Sequence, residues 1–190
     1  MELMNLLTTR RTYRRFKQDA IPQPVIDDIV NALRLSSSGM NRQAARLLIV
    51  EKPDDVAKTN SFVKWAGALP PEIGTPKENE IPTLFVAVLL DTTIAANADV
   101  DMGIAMANMT LAAWNHGVGS CIMGAINRPA LTEFFALPEG LTLHSMIAFG
   151  YPDHASSVVE KHPDSPNYYV DEQRDYFVPK HDTETLAKKF

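Results

Sequence analysis

Cysteine is nearly absent. Cys121 is the single thiol among 190 residues, which excludes an intrachain disulfide framework and a dithiol redox pair and suits a reducing compartment. The five histidines, His116, His144, His154, His162 and His181, fall into no His-Glu-x-x-His or Cys/His spacing, so no metal site is expected. No apolar run approaches the roughly 20 residues that a membrane helix needs. The run Leu84 to Leu90 is only strand-sized, and the opening Met1 to Leu7 is too short and too acidic for a signal sequence. A formal charge of -5, from 18 Lys plus Arg against 23 Asp plus Glu, provides no global field for nucleic acid or an anionic membrane. Neither is expected as a partner, and the expected location is cytoplasmic. Also missing are the Gly-x-Gly-x-x-Gly dinucleotide fingerprint, a Walker loop and a Gly-x-Ser-x-Gly elbow, which argues against a nicotinamide Rossmann enzyme and a serine hydrolase. Cys121 itself lies in an apolar segment, where an inert buried thiol is the simpler reading. An enzyme built this way would leave its chemistry to a cofactor.

With 45% of its residues hydrophobic, the chain can bury roughly two-thirds of its unfolded surface and suits one domain, 1–190, with a C-terminal extension from about residue 153. Leu3, Leu6 and Leu7 have helical spacing and lead into a basic connection. Pro22 and Pro24 can open a helix whose apolar face is Ile26, Ile29, Val30 and Leu33. Leu47 to Val50 and Leu84 to Leu90 read as buried strands because their apolar residues run without alternation. Between them, Pro70-Pro71, Gly74 and Pro76 predict an irregular excursion from the domain over 65–82. Asp99 to Asn115 is rich in Ala and Met on more than one face, the pattern of a helix buried nearly all round. Gly117 closes it; Ser120 to Met123 is a short strand candidate, Asn127-x-Pro129 opens another helix, and Leu141 to Phe149 is a further strand before Gly150-Tyr151-Pro152. Tyr168-Tyr169-Val170 and Tyr176-Phe177-Val178 predict a hairpin, and Glu184 to Phe190 a short helix. The fold class is α+β, with helices and strands sharing one core.

Two polar concentrations carry candidate chemistry. Arg10-Arg11-Thr12-Tyr13-Arg14-Arg15 gathers four guanidinium groups in an acidic protein, and in an extended chain Arg10, Thr12 and Arg14 project to one side, where they could meet a phosphate or planar acceptor. A solvated basic loop explains the cluster about as well. Ser36-Ser37-Ser38-Gly39-Met40-Asn41-Arg42-Gln43 lies between a helix and a strand; its hydroxyls and amides match the polar edge of a heterocycle, although a helix stop followed by a turn also accounts for the Ser and Gly. Gly124, just past Met123, could let a ligand approach the backbone, or simply mark a bend.

Arg10-Arg11-Thr12-x-Arg14-x-Phe16 resembles the opening signature of the FMN-dependent nitroreductase family. Ser38-Gly39-Met40-Asn41-Arg42-Gln43, Gly117-Val118-Gly119-Ser120 and Phe149-Gly150-Tyr151-Pro152 resemble its later landmarks in the same order, with a looser match through Val178-Pro179-Lys180. The resemblance implies a central mixed or antiparallel sheet flanked by helices, in an intertwined homodimer that holds each FMN between both chains. It implies that Arg10, Arg11, Thr12 and Arg14 contact the FMN phosphate, ribityl chain and ring edge, that Ser37, Ser38, Gly39 and Asn41 approach from the partner, that Met123 and Gly124 lie beside the reactive ring face, and that Lys180 closes on the phosphate. Implied too is ping-pong transfer from NADH or NADPH to nitroaromatic, quinone or related acceptors. Alternatives are an FMN oxidoreductase with another donor and a flavin-binding or sensory protein without nicotinamide-driven turnover. Two departures stand out: Ser37 replaces a common Pro, and Ala44-Ala45 replaces Pro-Trp after Gln43. A basic pair common near the C terminus is Lys180-His181 here, a weaker phosphate neutraliser at neutral pH.

Overall fold

A computed structural model describes residues 2–160 and 165–187. Its centre is β2 (Leu84–Asp91), buried throughout except at Asp91 because it has a strand on either side and a packed layer on each face. β1 (Ala45–Val50) and β4 (Leu141–Gly150) flank it, and β3 (Gly119–Met123) closes the far edge, giving the order β1-β2-β4-β3 with every pair antiparallel. A bulge between Val88 and Leu89 shifts the β2/β4 register, and an extra residue of this kind increases local twist.

Alternation along β2 sorts the core into two layers. Leu84, Val86, Val88 and Leu90 face α2 (Gln23–Arg34) and α5 (Asp99–Asn115), packing with Ile26, Ile29, Met102, Met106 and Met109. Phe85, Ala87 and Leu89 face the other way, toward Phe16, Val56 of α3 (Pro53–Asn60), Trp65 and Leu131 of α6 (Arg128–Phe134). The helices begin where the sequence predicts: Pro24 occupies the first turn of α2, and the Asn127 side chain accepts the Ala130 N–H at 3.3 Å to cap α6. Val30 stays 38% exposed, outside the packed face of α2, which is built from Val25, Ile26 and Ile29.

α5 spans the predicted range, with Gly117 at φ +74° just beyond it. One face holds Met102, Ala105, Met106, Met109 and Ala113 in the core. The opposite side leaves Val100 76% and Ile104 38% exposed, so among the described residues of one chain nothing covers this apolar face of the helix. α1 (Leu3–Thr9) adds exposed Leu3, Met4 and Leu7, and its end is tied to α5 by Trp114 Nε1 donating to Thr9 Oγ1 at 2.8 Å.

Three expectations need correction. The segment Leu47 to Val50 is not a buried strand: Leu47, Leu48 and Ile49 are half-buried, because β1 is an edge strand with one neighbour. The 65–82 stretch is irregular, with only α4 (Pro71–Gly74) and a 3₁₀ turn over Glu78–Glu80, yet it is no excursion. Trp65 and Ala66 are buried; the Trp65 ring meets Phe16 edge-on at 6.4 Å, and its Nε1 donates to Asn60 Oδ1 at 3.0 Å. Prolines break helices there without preventing packing. The predicted hairpin exists as β6 (Tyr169–Val170) against β7 (Tyr176–Lys180), but a strand the sequence did not announce, β5 (Ser156–Glu160), runs parallel to β7 on its other side. α7 (Thr183–Leu186) begins one residue before the predicted last helix and overlaps its first three positions; residues 188–190 of that prediction lie outside the described residues, as does His162.

Candidate cofactor site

The arginine segment is an added strand-like ribbon. Thr12 makes a parallel bridge to Ser120 on β3, the Tyr13 N–H donates to the Ser120 carbonyl at 2.9 Å, and Phe16 bridges to Pro152. Glycine makes this approach possible. A Cβ on Gly119 would sit 2.7 Å from the Tyr13 ring, and one on Gly150 2.8 Å from the Phe16 ring, both closer than real Cβ contacts come. Alternation follows from the extended backbone. Tyr13 and Arg15 point inward and are buried, whereas Arg10, Thr12 and Arg14 remain partly accessible. Arg10, Thr12 and Arg14 thus share one ribbon beside β3; Met123, which ends that strand, has its side chain buried in the core layer of Tyr13 and Phe16 rather than facing an open site, while Gly124, just past the strand, is exposed and has open space where a Cβ would be.

The four arginines are held differently. Arg11 uses Nη2 to cap the α1 carbonyls of Leu7 and Thr8, both at 2.8 Å, and burial followed by the neighbouring Arg10 charge lowers its pKa. The Arg10 guanidinium makes no hydrogen bond or ion pair among the described residues, leaving two adjacent cations without an anion. Arg14 rests its guanidinium carbon 4.3 Å from the Tyr168 ring centre and 4.8 Å from that of Tyr176. Buried Arg15 donates Nη2 to the Asp153 carbonyl at 3.2 Å, and its Nε has no partner among the described residues. An anion near Arg10 and Arg11 would answer the charge left over there.

His154 ties the ribbon to the C-terminal segment. Its Nδ1 lies 2.8 Å from the Ala155 carbonyl, which can only accept, so Nδ1 carries the proton and Nε2 accepts the Arg14 backbone N–H at 3.0 Å. The neutral ring stands between Tyr13 and Tyr176, at 5.2 and 4.8 Å between centres. Burial, with Arg15 and Arg14 nearby, overcomes the opposing Ala155 bond and Asp175 charge and lowers its pKa to about 4. Burial also pushes the Cys121 thiol up to about 11 and raises the Tyr13 and Tyr176 hydroxyls, so none of the three is a nucleophile or base poised at neutral pH.

The second polar concentration lies elsewhere. The Gly39 N–H donates to both carboxylate oxygens of Asp101, at 3.0 and 3.1 Å, on the first turn of α5. Ser38 Oγ accepts the Gln43 N–H, and Met40, Asn41 and Gln43 all adopt φ near +53°, a left-handed conformation costly for residues other than glycine. Ser37 and Asn41 are exposed. Trp114, which stacks on Tyr13 at 5.2 Å, marks the arginine end of the same helix. Thirteen residues of α5 separate Asp101 from Trp114, about 20 Å at 1.5 Å per residue. Within one chain the structure does not bring Ser37, Ser38, Gly39 and Asn41 to the arginines. Lys180 ends β7, exposed and with no bond to the arginine segment among the described residues; it lies four residues past Tyr176, about 13 Å of strand.

His154, Tyr168, Tyr176 and Trp114 were not predicted as site residues. The two tyrosines were visible as aromatic runs, but nothing in the sequence pairs them with Arg14, and an isolated histidine carries no spacing to read.

This chain belongs to the nitroreductase family, whose model matches residues 7–151. It is 26% identical over 197 residues to an FMN reductase [NAD(P)H] of Bacillus subtilis, covering 92% of this chain and 74% of that one. A Desulfovibrio desulfuricans protein crystallised in complex with FMN superposes with a TM-score of 0.69 and 25% identity over 86% of this chain and 93% of the other. A nitroreductase family protein of Clostridium difficile superposes with a TM-score of 0.68 at 20% identity, over 87% and 89% of the two chains. The α+β architecture of an antiparallel sheet flanked by helices is the one these structures share.

Proposed function

We propose that the protein is a homodimeric FMN-dependent oxidoreductase that takes electrons from NADH or NADPH. The observation that carries this reading is the ribbon beside β3, which keeps Arg10, Thr12 and Arg14 partly accessible, with exposed Gly124 just past the end of β3. FMN fits those residues. Its phosphate answers the unpaired Arg10 beside Arg11, the Thr12 hydroxyl suits the ribityl chain, and the free N–H edge of Arg14 suits the N1/C2=O2 edge of the ring. Bound there, FMN supplies the hydride chemistry, while the chain positions the ring and stabilises negative charge on that edge. The reductase name of the Bacillus relative and the FMN in the Desulfovibrio structure support the reading.

A second copy completes the site. The polar loop and the arginine ribbon sit at opposite ends of α5, about 20 Å apart, and α5 bears the uncovered face of Val100 and Ile104. Packing two α5 helices antiparallel through this face brings the Ser37–Asn41 loop of one protomer to the arginine ribbon of the other and removes the exposed apolar surface. Lys180 and His181 remain candidate phosphate contacts. Nitroaromatics and quinones are the proposed acceptors, in a ping-pong sequence in which the nicotinamide leaves before the acceptor enters. Anaerobic stopped-flow mixing of the FMN-loaded protein with NADH or NADPH should bleach the oxidised-flavin absorbance band rapidly. Bound flavin that neither nicotinamide reduces would favour a sensory role or another electron donor, and a protein that cannot be loaded with FMN would overturn the assignment.

A further inference from the structure

Arg14 is held by aromatic rings rather than by a carboxylate. Its guanidinium lies in the notch between Tyr168 and Tyr176, whose ring centres are 5.8 Å apart, and it makes no side-chain hydrogen bond or ion pair among the described residues. A carboxylate clamp would have occupied the N–H fork and neutralised the charge. Two tyrosine faces do neither, because a neutral ring leaves the guanidinium charge in place and accepts no conventional hydrogen bond from its fork. The backbone beneath is fixed as well, through the Arg14 N–H bonded to His154.

The tyrosines are themselves anchored. The Tyr168 hydroxyl accepts the Ala68 N–H at 3.2 Å, and Tyr176 is buried in β7. The hairpin turn is held by Arg174, which donates to the carbonyls of Ile73 and Thr75 and pairs with Glu80 at 3.0 Å. Glu80 in turn offers its carbonyl to the Phe16 N–H at 2.9 Å. Hairpin, irregular 66–80 stretch and arginine ribbon therefore form one connected body.

We propose that Tyr168 and Tyr176, carried by the C-terminal hairpin, are positioning residues that hold the Arg14 guanidinium with its N–H edge free for the N1/C2=O2 edge of the flavin. The hairpin then sets the flavin's reduction potential although it lies outside the residues matched to the family. The inference rests on the flavin-facing role of Arg14 given above. An arginine free to sample its rotamers loses much of that freedom when it binds; one already seated on two rings has lost it beforehand, which is preorganisation.

The test uses FMN-loaded Arg14→Gln, Tyr168→Leu, Tyr168→Phe and the Arg14→Gln/Tyr168→Leu double variant, measuring midpoint potential, FMN affinity and hydride-transfer rate at saturating NAD(P)H. Tyr168→Leu should lower the potential and slow hydride transfer by about two- to thirtyfold, the range spanned by exposed to desolvated cation–π contacts. Tyr168→Phe, which keeps the ring, should restore both. In the Arg14→Gln background, Tyr168→Leu should add nothing, since its effect passes through Arg14. Should Tyr168→Leu not yield soluble protein, Tyr168→Met, which lacks a π face, gives the same comparison. If Arg14→Gln lowers the potential and Tyr168→Leu leaves it and the rate unchanged, the positioning role is wrong while the Arg14 role stands. An Arg14→Gln variant with unchanged potential removes both, and failure to bind FMN at all strikes the proposed function instead.

Discussion

Mild acid should weaken the protein through one side chain, His154. In the folded chain its neutral form accepts the Arg14 N–H and donates to the Ala155 carbonyl, and its pKa is lowered to about 4. The unfolded chain returns it to about 6.5. Unfolded protein therefore binds more protons than folded protein in the intervening window, so stability rises with pH there. The contribution of neutral His154 is fully present above about pH 6.5 and is lost progressively as pH falls toward about 4. Between pH 7 and 5 the loss is about 2 kcal/mol at 1.36 kcal/mol per pKa unit, an upper figure because residual solvent access screens the site. Urea unfolding of the FMN-loaded protein, at one protein concentration and across pH 5 to 7, measures it. His154→Gln retains an acceptor without a titrating ring, so its unfolding free energy should vary less with pH by about that amount. Equal pH dependence in both proteins would refute the argument and move the acid sensitivity to another group.

Other perturbations test the rest of the architecture. Arg10→Ala should weaken FMN binding, by about 1.5 to 3 kcal/mol for one charged hydrogen-bonding group, with little change in midpoint potential, as equilibrium titration would show. Ile104→Glu buries a carboxylate in the proposed α5 contact; analytical ultracentrifugation should find monomer where the parent is dimer, and FMN should be lost with it. Arg174→Ala leaves partly buried Glu80 without its cation and the Ile73 and Thr75 carbonyls without their donor. Thermal unfolding should show a loss of about 3 kcal/mol or more, and Arg174→Lys, which cannot reproduce the fork, should recover only part of it.

How much of this was legible beforehand depended on whether a residue's surroundings are local in sequence. α2, β2 and α5 were readable because periodicity and proline placement are properties of short windows, and the order of the glycine-bearing landmarks was specific enough to indicate the family. The partial exposure of β1 was not, because Leu47 to Val50 has the composition of a core strand and only the sheet order makes it an edge. Trp65 cannot be placed from sequence because the prolines after it signal broken secondary structure, a local property, while its burial against Phe16 is a distant one. β5 was invisible because Ser156-Ser157-Val158-Val159 has no clear alternation and its partner β7 lies 20 residues on. In the site, the arginines and the Ser38–Asn41 loop stood out as unusual concentrations of one chemistry. His154 did not, since one histidine among five acquires meaning only from Arg14, 140 positions away.

The distance between the two ends of α5 has a genetic consequence. If each cleft takes its arginine ribbon from one protomer and its polar loop from the other, a defect in either part of a gene disables both clefts of the homodimer. Two different defective alleles need not. In a mixed dimer that pairs a chain lacking Arg10 with a chain whose Gly39–Asn41 loop is disrupted, one cleft collects both lesions and its twin receives neither. Co-expression of two such inactive variants would therefore recover activity, with a ceiling at one working cleft per dimer, whereas two alleles damaged in the same part would never complement.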